Sequence, residues 1–319
     1  MGPCMSDGNR RTMTMAPRIT LVTPSYNQAQ YLEATAQSIV EQDYPNLEWM
    51  IVDGGSTDGS VEIIRKYEGH LAWWVSEKDK GQTDALNKGL RRATGDLFAF
   101  LNSDDLYTPG TLHAVGEAFA SDPSLTMLLG RCQYITADGS PMDECLYAGD
   151  LSIEDFIAYN LVPQPSLFLR LDVCRAVGEF DNGMQYAFDH DYWLRAMLLG
   201  HRIRGMDRLL SLYRLHEASK TVTERYKQDL DIVAAHRKAM RSLPVQDPLR
   251  QALQRNSARF CRRVAIEHYA WTRNPSIALR FFRQMLALDP TVCDMRMLKV
   301  AIKAALRIPA PLPNLPGRA

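Results

Sequence analysis

Between Ile19 and Leu101 the chain alternates four times between a short β-rich apolar run and a stretch of helical spacing. The runs are Ile19 to Thr23, Leu47 to Val52, Leu71 to Ser76 and Leu97 to Leu101. Tyr31, Leu32, Ala36, Ile39 and Val40 recur at helical intervals after the first run. Val61, Ile64 and Tyr67 follow the second, and Ala85, Leu86, Gly89 and Leu90 the third. This alternation predicts an α/β fold with a mainly parallel central sheet and helices on both faces. In such a sheet the loops that follow the strands share one edge, and ligands collect there.

The segments at that edge are polar. They read Pro24-Ser25-Tyr26-Asn27, Asp53 to Ser60, Glu77 to Gln82, and Asn102-Ser103-Asp104-Asp105. Adjacent carboxylates that end an apolar run cannot remain in a core, and they can hold a hard divalent cation that in turn binds phosphate oxygens. Taken alone, the last segment reads equally well as a solvated turn with a capping Asp or Ser. The Asp53-Gly54-Gly55-Ser56 loop permits close backbone approach, and Asp53 can accept hydrogen bonds from a nucleobase or ribose. The chain has neither Gly-x-Gly-x-x-Gly nor Gly-Lys-Ser/Thr, so the Rossmann and Walker phosphate loops are excluded.

Further on, β-rich pieces flank Gly130-Arg131, Asp138-Gly139 offers a hairpin turn, and Ser152 to Tyr159 has helical character. Ser166 to Leu169 is a short strand, and a helix runs from Phe188 to Gly200 with Asp189 and Asp191 in its first turn. Carboxylates there also suit the positive end of the helix dipole. A last strand, Leu209 to Leu215, precedes His216.

Formal charge is zero over 319 residues, but from Thr221 onward eighteen Lys and Arg face seven Asp and Glu, leaving +11 there and −11 before it. This divides the chain into a leader (1–17), an α/β domain (18–220) and a basic helical appendage (221–319). Pro244, Pro248, Pro275 and Pro290 separate the appendage into successive amphipathic helices. The last, Met295 to Ile308, sets Arg296, Lys299, Lys303 and Arg307 against Leu298, Ile302, Ala305 and Leu306. It reads as a solvated basic face or as a peripheral contact with an anionic membrane. No stacking aromatics interleave with its charges, so nucleic acid is not the expected partner. Six cysteines show no Cys-x-x-Cys spacing, no apolar run approaches ~18 residues, and Met1 to Met15 lacks an apolar signal core. A cytoplasmic protein with reduced thiols is expected.

These motifs, in this order over Arg18 to Thr221, resemble the family 2 glycosyltransferases of the GT-A fold. The resemblance rests on Thr23 to Asn27, Val52 to Gly59, Asp79 to Gly89, Gly95-Asp96 with Asn102 to Asp105, Phe188 to Arg195, and Tyr213 to His216. It implies that Pro24, Ser25 and Asp53 hold the nucleotide base, with Asp84 and Asn87 or Lys88 near the ribose, diphosphate or sugar. It makes Asp105 the metal ligand, Asp104 a ribose or donor-sugar contact, and His216 a later member of the metal or diphosphate site. Asp189 takes the place of the catalytic base; Phe188 stands where the family has an acid, so Asp191 remains its rival. The base loop carries one Asp followed by Gly where many members carry two acids.

The implied activity is inverting, Mn2+- or Mg2+-dependent transfer from a nucleotide-diphosphate sugar, UDP being the expected nucleotide, to a hydroxyl of a glycan or lipid-linked glycan. The implied setting is assembly of O-antigen, capsule or exopolysaccharide, at the inner face of the plasma membrane. A carboxylate of pKa ~4 cannot ionise a sugar hydroxyl beforehand, so proton transfer must accompany attack. Two other classes compete. A sugar nucleotidyltransferase would need a basic glycine loop after the first strand, and Thr23 to Gln28 has none. A non-catalytic scaffold would have lost its acids, and Asp105 and Asp189 are both present.

Overall fold

The structure, a computed structural model, describes residues 16–146, 149–159, 162–217, 219, 224–270 and 273–308. All but the last two residues of the expected leader lie outside that range. The first half follows the alternation: β1 (Ile19–Ser25), α1 (Ala29–Val40), β2 (Leu47–Asp53), α2 (Ser60–Lys66), β3 (Trp73–Ser76), α3 (Gln82–Arg92) and β4 (Leu97–Phe100). β3, β2, β1 and β4 lie side by side in that order, all parallel. Register places Ser25 beside Asp53 and Asp53 beside Ser76, so one row of polar residues runs along the carboxyl edge.

The second half adds β5 (Leu106–Tyr107), α4 (Thr111–Ser121), β6 (Met127–Ile135), β7 (Pro141–Leu146), α5 (Ile153–Tyr159), β8 (Leu167–Arg170), α6 (Leu171–Val177), α7 (Phe188–Leu198) and β9 (Ile203–Arg214). The sheet reads β3-β2-β1-β4-β8-β6-β9-β5, with β7 paired to β6. It is mixed, because β8 is antiparallel to both β4 and β6 while β9 is parallel to β6. The two pieces expected around Gly130 form one strand, with a register shift against β9 at Gly130-Arg131. β9 starts at Ile203, six residues before the expected Leu209, and the early part of that strand is mostly exposed. Its pairing to β6, rather than an apolar pattern, makes it a strand.

Side-chain alternation sorts the sheet between two cores. Phe98 and Phe100 face one cluster with Leu86 of α3 and Trp193 of α7; Leu97, Ala99 and Leu101 face the other with Leu32 and Ile39 of α1 and Leu112 of α4. Helices therefore cover both faces. The chain closes with α8 (Arg225–Ser242), α9 (Pro248–Ala270), α10 (Pro275–Leu288) and α11 (Met295–Ala305). Pro248 and Pro275 occupy first helical positions, where no backbone donor is needed. Val233, Leu253, Phe281 and Met297 join the cluster that holds Phe98 and Phe100, so these helices share the sheet's core. α11 buries Met297, Ala301 and Ala304, leaving Leu298, Ile302 and Leu306 exposed.

Candidate functional site

The carboxyl edge is built by two loops stitched together. The Asn27 backbone N–H donates to Ser56 Oγ (2.8 Å), Asn27 Oδ1 accepts from Thr57 N–H (3.0 Å), and the Ala29 N–H donates to Asp58 Oδ2 (2.9 Å). Gly55 has φ +84°, and a Cβ at Gly54 would lie 3.1 Å from both Asp79 and Tyr26, so this turn needs both glycines. Asp53 is fully buried and accepts from the N–H groups of Gly55 (3.0 Å) and Ser56 (2.9 Å), from Ser76 Oγ (2.6 Å) and from Ser56 Oγ. Its carboxylate shapes the loop, with three donors on Oδ2 and one on Oδ1.

Pro24 pairs with Val52 inside the sheet. Ser25 is buried, and its Oγ has no hydrogen-bond partner among the described residues. A buried hydroxyl left open at a strand's carboxyl end is suited to a ligand. Beside it the Tyr26 ring is 62% exposed, a flat apolar surface at the mouth of the edge.

α3 brings the next group. Lys88 Nζ bonds Glu77 (2.7 Å) and lies 3.7 Å from Asp84, which also accepts from the Lys80 N–H (3.3 Å). Asn87 corrects the expectation. It is buried, donates to the Phe180 carbonyl (2.9 Å) and accepts from the Phe180 N–H (2.8 Å), so its amide clamps the chain ahead of α7 and faces no ligand.

The two adjacent acids have different surroundings. Asp105 is 1% exposed; its Oδ1 accepts from the Arg214 N–H (2.9 Å) and its Oδ2 from Asn102 (3.3 Å). Burial, then the neighbouring Asp104, pushes its carboxyl well above the usual range. Both Asp105 oxygens are thus engaged within the fold. Asp104 is the one beside His216, with Oδ2 and Nε2 3.0 Å apart. The His216 ring packs on Tyr31 at 4.7 Å. Adjacent donors of an octahedral Mg2+-type ion lie about 3 Å apart, so this pair fits two protein positions on such an ion. No group of three or more His, Cys, Asp or Glu among the described residues could hold one. The remaining positions suit diphosphate and water.

α7 presents the last two acids. Asp191 is 2% exposed, bonded to Arg195 Nε (2.8 Å) and paired with Lys238 (3.2 Å). Asp189 has no ion-pair partner among the described residues and accepts a hydrogen bond from the His190 N–H (2.8 Å). Burial pushes its carboxyl up to about 6. It is the acid left free to accept a proton near neutrality.

Three features escape the sequence reading. Burial raises the Asp79 carboxyl, which anchors the Gly81 N–H (2.8 Å) at the entry to α3. Gln82 donates to Asn102 (2.7 Å), Asn102 to Gln164 (3.1 Å), and Gln164 to the Phe100 carbonyl (2.6 Å). Arg214 bonds the Asp104 carbonyl (2.9 Å) and those of Thr136 (3.2 Å) and Ala137 (3.0 Å). Membership of the Asp79 to Gly89 motif signals Asp79 and Gln82, and the acid and His segments signal Asn102 and Arg214; Gln164 sits in a segment that reads as a helix breaker.

Comparison with known proteins supplies the frame. The model of the family described as Glycosyl transferase family 2 matches residues 20–145. A Bacillus subtilis protein named for teichuronic acid biosynthesis, the glycosyltransferase TuaG, is 30% identical over 205 residues, 62% of this chain and 79% of its own. A Mycobacterium tuberculosis protein named only as a glycosyltransferase is 30% identical over 194 residues, 59% of this chain and 71% of its own. Among solved structures, Staphylococcus aureus TarS 1–349 in complex with UDP-GlcNAc superposes with a TM-score of 0.62 at 16% identity, over 91% of this chain and 88% of that one. The mannosyltransferase PcManGT of Pyrobaculum calidifontis, in complex with GDP-Man and Mn2+, gives 0.59 at 22% identity, over 92% and 81%.

Proposed function

We propose, from the premise that this chain belongs to glycosyl transferase family 2 and has the GT-A fold, that it transfers a sugar from a nucleoside-diphosphate donor to a hydroxyl of a cell-surface glycan with inversion. The observation that carries this reading is the division of labour among four acids. Asp104 stands beside His216, Asp189 is without a cation, and Asp105 and Asp191 are spent on the scaffold.

The nucleotide lies along the carboxyl edge, with the exposed Tyr26 ring and the open Ser25 hydroxyl facing the base and ribose. Asp84 and Lys88 border the diphosphate side. Asp104 and His216 hold a divalent cation, Mn2+ or Mg2+, which when bound neutralises charge developing on the leaving diphosphate. Asp189 receives the acceptor proton as the acceptor oxygen bonds to the anomeric carbon and the bond to the diphosphate breaks. A carboxylate of pKa about 6 remains a weak base towards a hydroxyl, so the proton moves together with attack. One displacement from the face opposite the diphosphate inverts the centre.

The setting we propose is cytoplasmic, with peripheral contact at the inner membrane face. The exposed Leu298, Ile302 and Leu306 of α11, flanked by Arg296, Lys299 and Lys303, support that contact. No helix among the described residues is long and apolar enough to cross a membrane.

Thermal-shift titration with UDP, GDP, TDP and CMP, each with and without Mn2+, tests the donor reading. One nucleoside diphosphate is expected to raise the melting temperature, and more so with Mn2+. No rise with any nucleotide would overturn the donor site and favour the scaffold.

A further inference from the structure

A second concavity lies away from the strand edge. α8 and α10 both pack on α9 and leave between them a cavity of about 1210 Å3, walled on one side by Met184 and Tyr186. It is lined by six cations, Lys227, Arg237, Lys238, Arg241, Arg280 and Arg283, and one acid, Asp231. Asp231 is already engaged: its Oδ2 accepts from the N–H groups of Gln185 (3.1 Å) and Tyr186 (3.0 Å). Lys227 is paired with Glu224, and Lys238 with Asp181 and Asp191. The four arginines have no carboxylate partner among the described residues.

Their placement adds to the charge. Arg237 and Arg241 stand four apart on α8, and Arg280 and Arg283 three apart on α10, so each pair shares a helix face. Like charges at these spacings repel, and an anion between them relieves that repulsion. All four are arginine, whose planar fork suits two oxygens of one phosphate or carboxylate. The volume exceeds that of an ordinary small-molecule site, roughly 300 to 1,000 Å3, and accommodates a chain of sugar units.

Position ties the groove to the chemistry. Tyr186 is three residues ahead of Asp189, and the Asp231 hydrogen bonds fix that loop to the groove wall. The acceptor hydroxyl must come within about 3 Å of the base. The rest of an extended acceptor then needs a surface beginning at this loop.

We propose that this groove binds the acceptor glycan and selects one that carries phosphate or carboxylate groups along its chain. The proposal rests on the transferase reading above and adds the chemical class of the acceptor.

The test is fluorescence polarisation of labelled oligogalacturonate, linear polyphosphate and neutral maltooligosaccharide of matched length, titrated with the full chain. Both anionic chains are expected to bind and the neutral one not. R237A/R241A and R280A/R283A should each weaken anion binding at least tenfold, K299A/K303A on α11 should not, and UDP with Mn2+ should not displace the oligomer. R280K/R283K, which keeps the charge, should recover part of the affinity and guards against misfolding of the alanine pair. Equal binding of maltooligosaccharide, unchanged affinity in both arginine pairs, or displacement by UDP would overturn the proposal. So would competition by phosphatidylglycerol vesicles that the arginine pairs no longer bind, since the groove would then face a membrane. Loss of nucleotide stabilisation with intact oligomer binding would sink the donor reading alone.

Discussion

At Asp104 and Asp105, one residue of spacing separates a half-buried carboxylate beside His216 from a buried brace. Asp104→Ala and His216→Ala should each raise the Mn2+ concentration needed for half-maximal nucleotide stabilisation by about tenfold or more, with little change in the melting temperature of the free protein. Asp105→Ala should instead lower that melting temperature, because the buried Arg214 N–H loses its acceptor, worth about 1 to 3 kcal/mol. Asp105→Asn, which keeps an acceptor oxygen, should retain most of the stability. Asp189→Asn should stop transfer while leaving nucleotide binding intact, and kcat/KM of the wild type should climb tenfold per pH unit until about pH 6 and then level. The same group sets a stability signature. Its carboxyl is raised from 3.8 to about 6 on folding, so its stabilising contribution is full below 3.8 and lost as pH rises through 6. The Asn variant should therefore melt higher than wild type above pH 6, and the gap should close towards pH 4. Before folding, neighbouring acids in a turn are indistinguishable; the Arg214 backbone, 109 residues away, decides between them.

Among elements, α7 is positioned by its neighbours. Asn87 of α3 holds Phe180, Lys238 of α8 pairs with Asp191, and His190 Nε2 meets His236 Nε2 at 2.9 Å, with His236 bonded in turn to Ser257 of α9 (2.8 Å). Asn87→Ala leaves two buried backbone groups unpaired and should cost about 2 to 4 kcal/mol in denaturant unfolding, with a lower kcat because the segment carrying Asp189 loosens. Burial lowers His236 to about 4 and His190 well below its usual value. Both bind protons more readily unfolded, so stability is full above about pH 6.5 and lost as pH falls towards 4. Melting scans across that window should show the loss, and His236→Gln should flatten it. The first four strands are legible because buried parallel strands read as unbroken apolar runs that end in polar loops. β8 is legible as a strand, but its place between β4 and β6 is not, since four residues carry no mark of their neighbours or direction. The edge residues of the site are likewise readable as a set, whereas Asn87 turning inward and Gln164 joining the amide chain depend on contacts the local pattern does not encode.

Across the whole molecule, charge is separated along the chain, and the C-terminal excess falls into two surfaces of different character. The α8–α10 groove is concave and arginine-lined; α11 is a convex ridge with an open apolar stripe. Ile302→Glu together with Leu306→Glu should abolish sedimentation of the protein with anionic vesicles and leave thermal stability nearly unchanged, because both side chains are already exposed. Binding of neutral vesicles as strong as anionic ones would remove the charge from that account. Contacts of β9 and the residues just after it with the acid turn, among them Arg214 to Asp105 and His216 to Asp104, join residues 109 and 112 positions apart. Closing so long a loop comes late in folding. Under the proposed reading, the cation pair of Asp104 and His216 therefore forms only once the segment carrying β9 has joined the sheet.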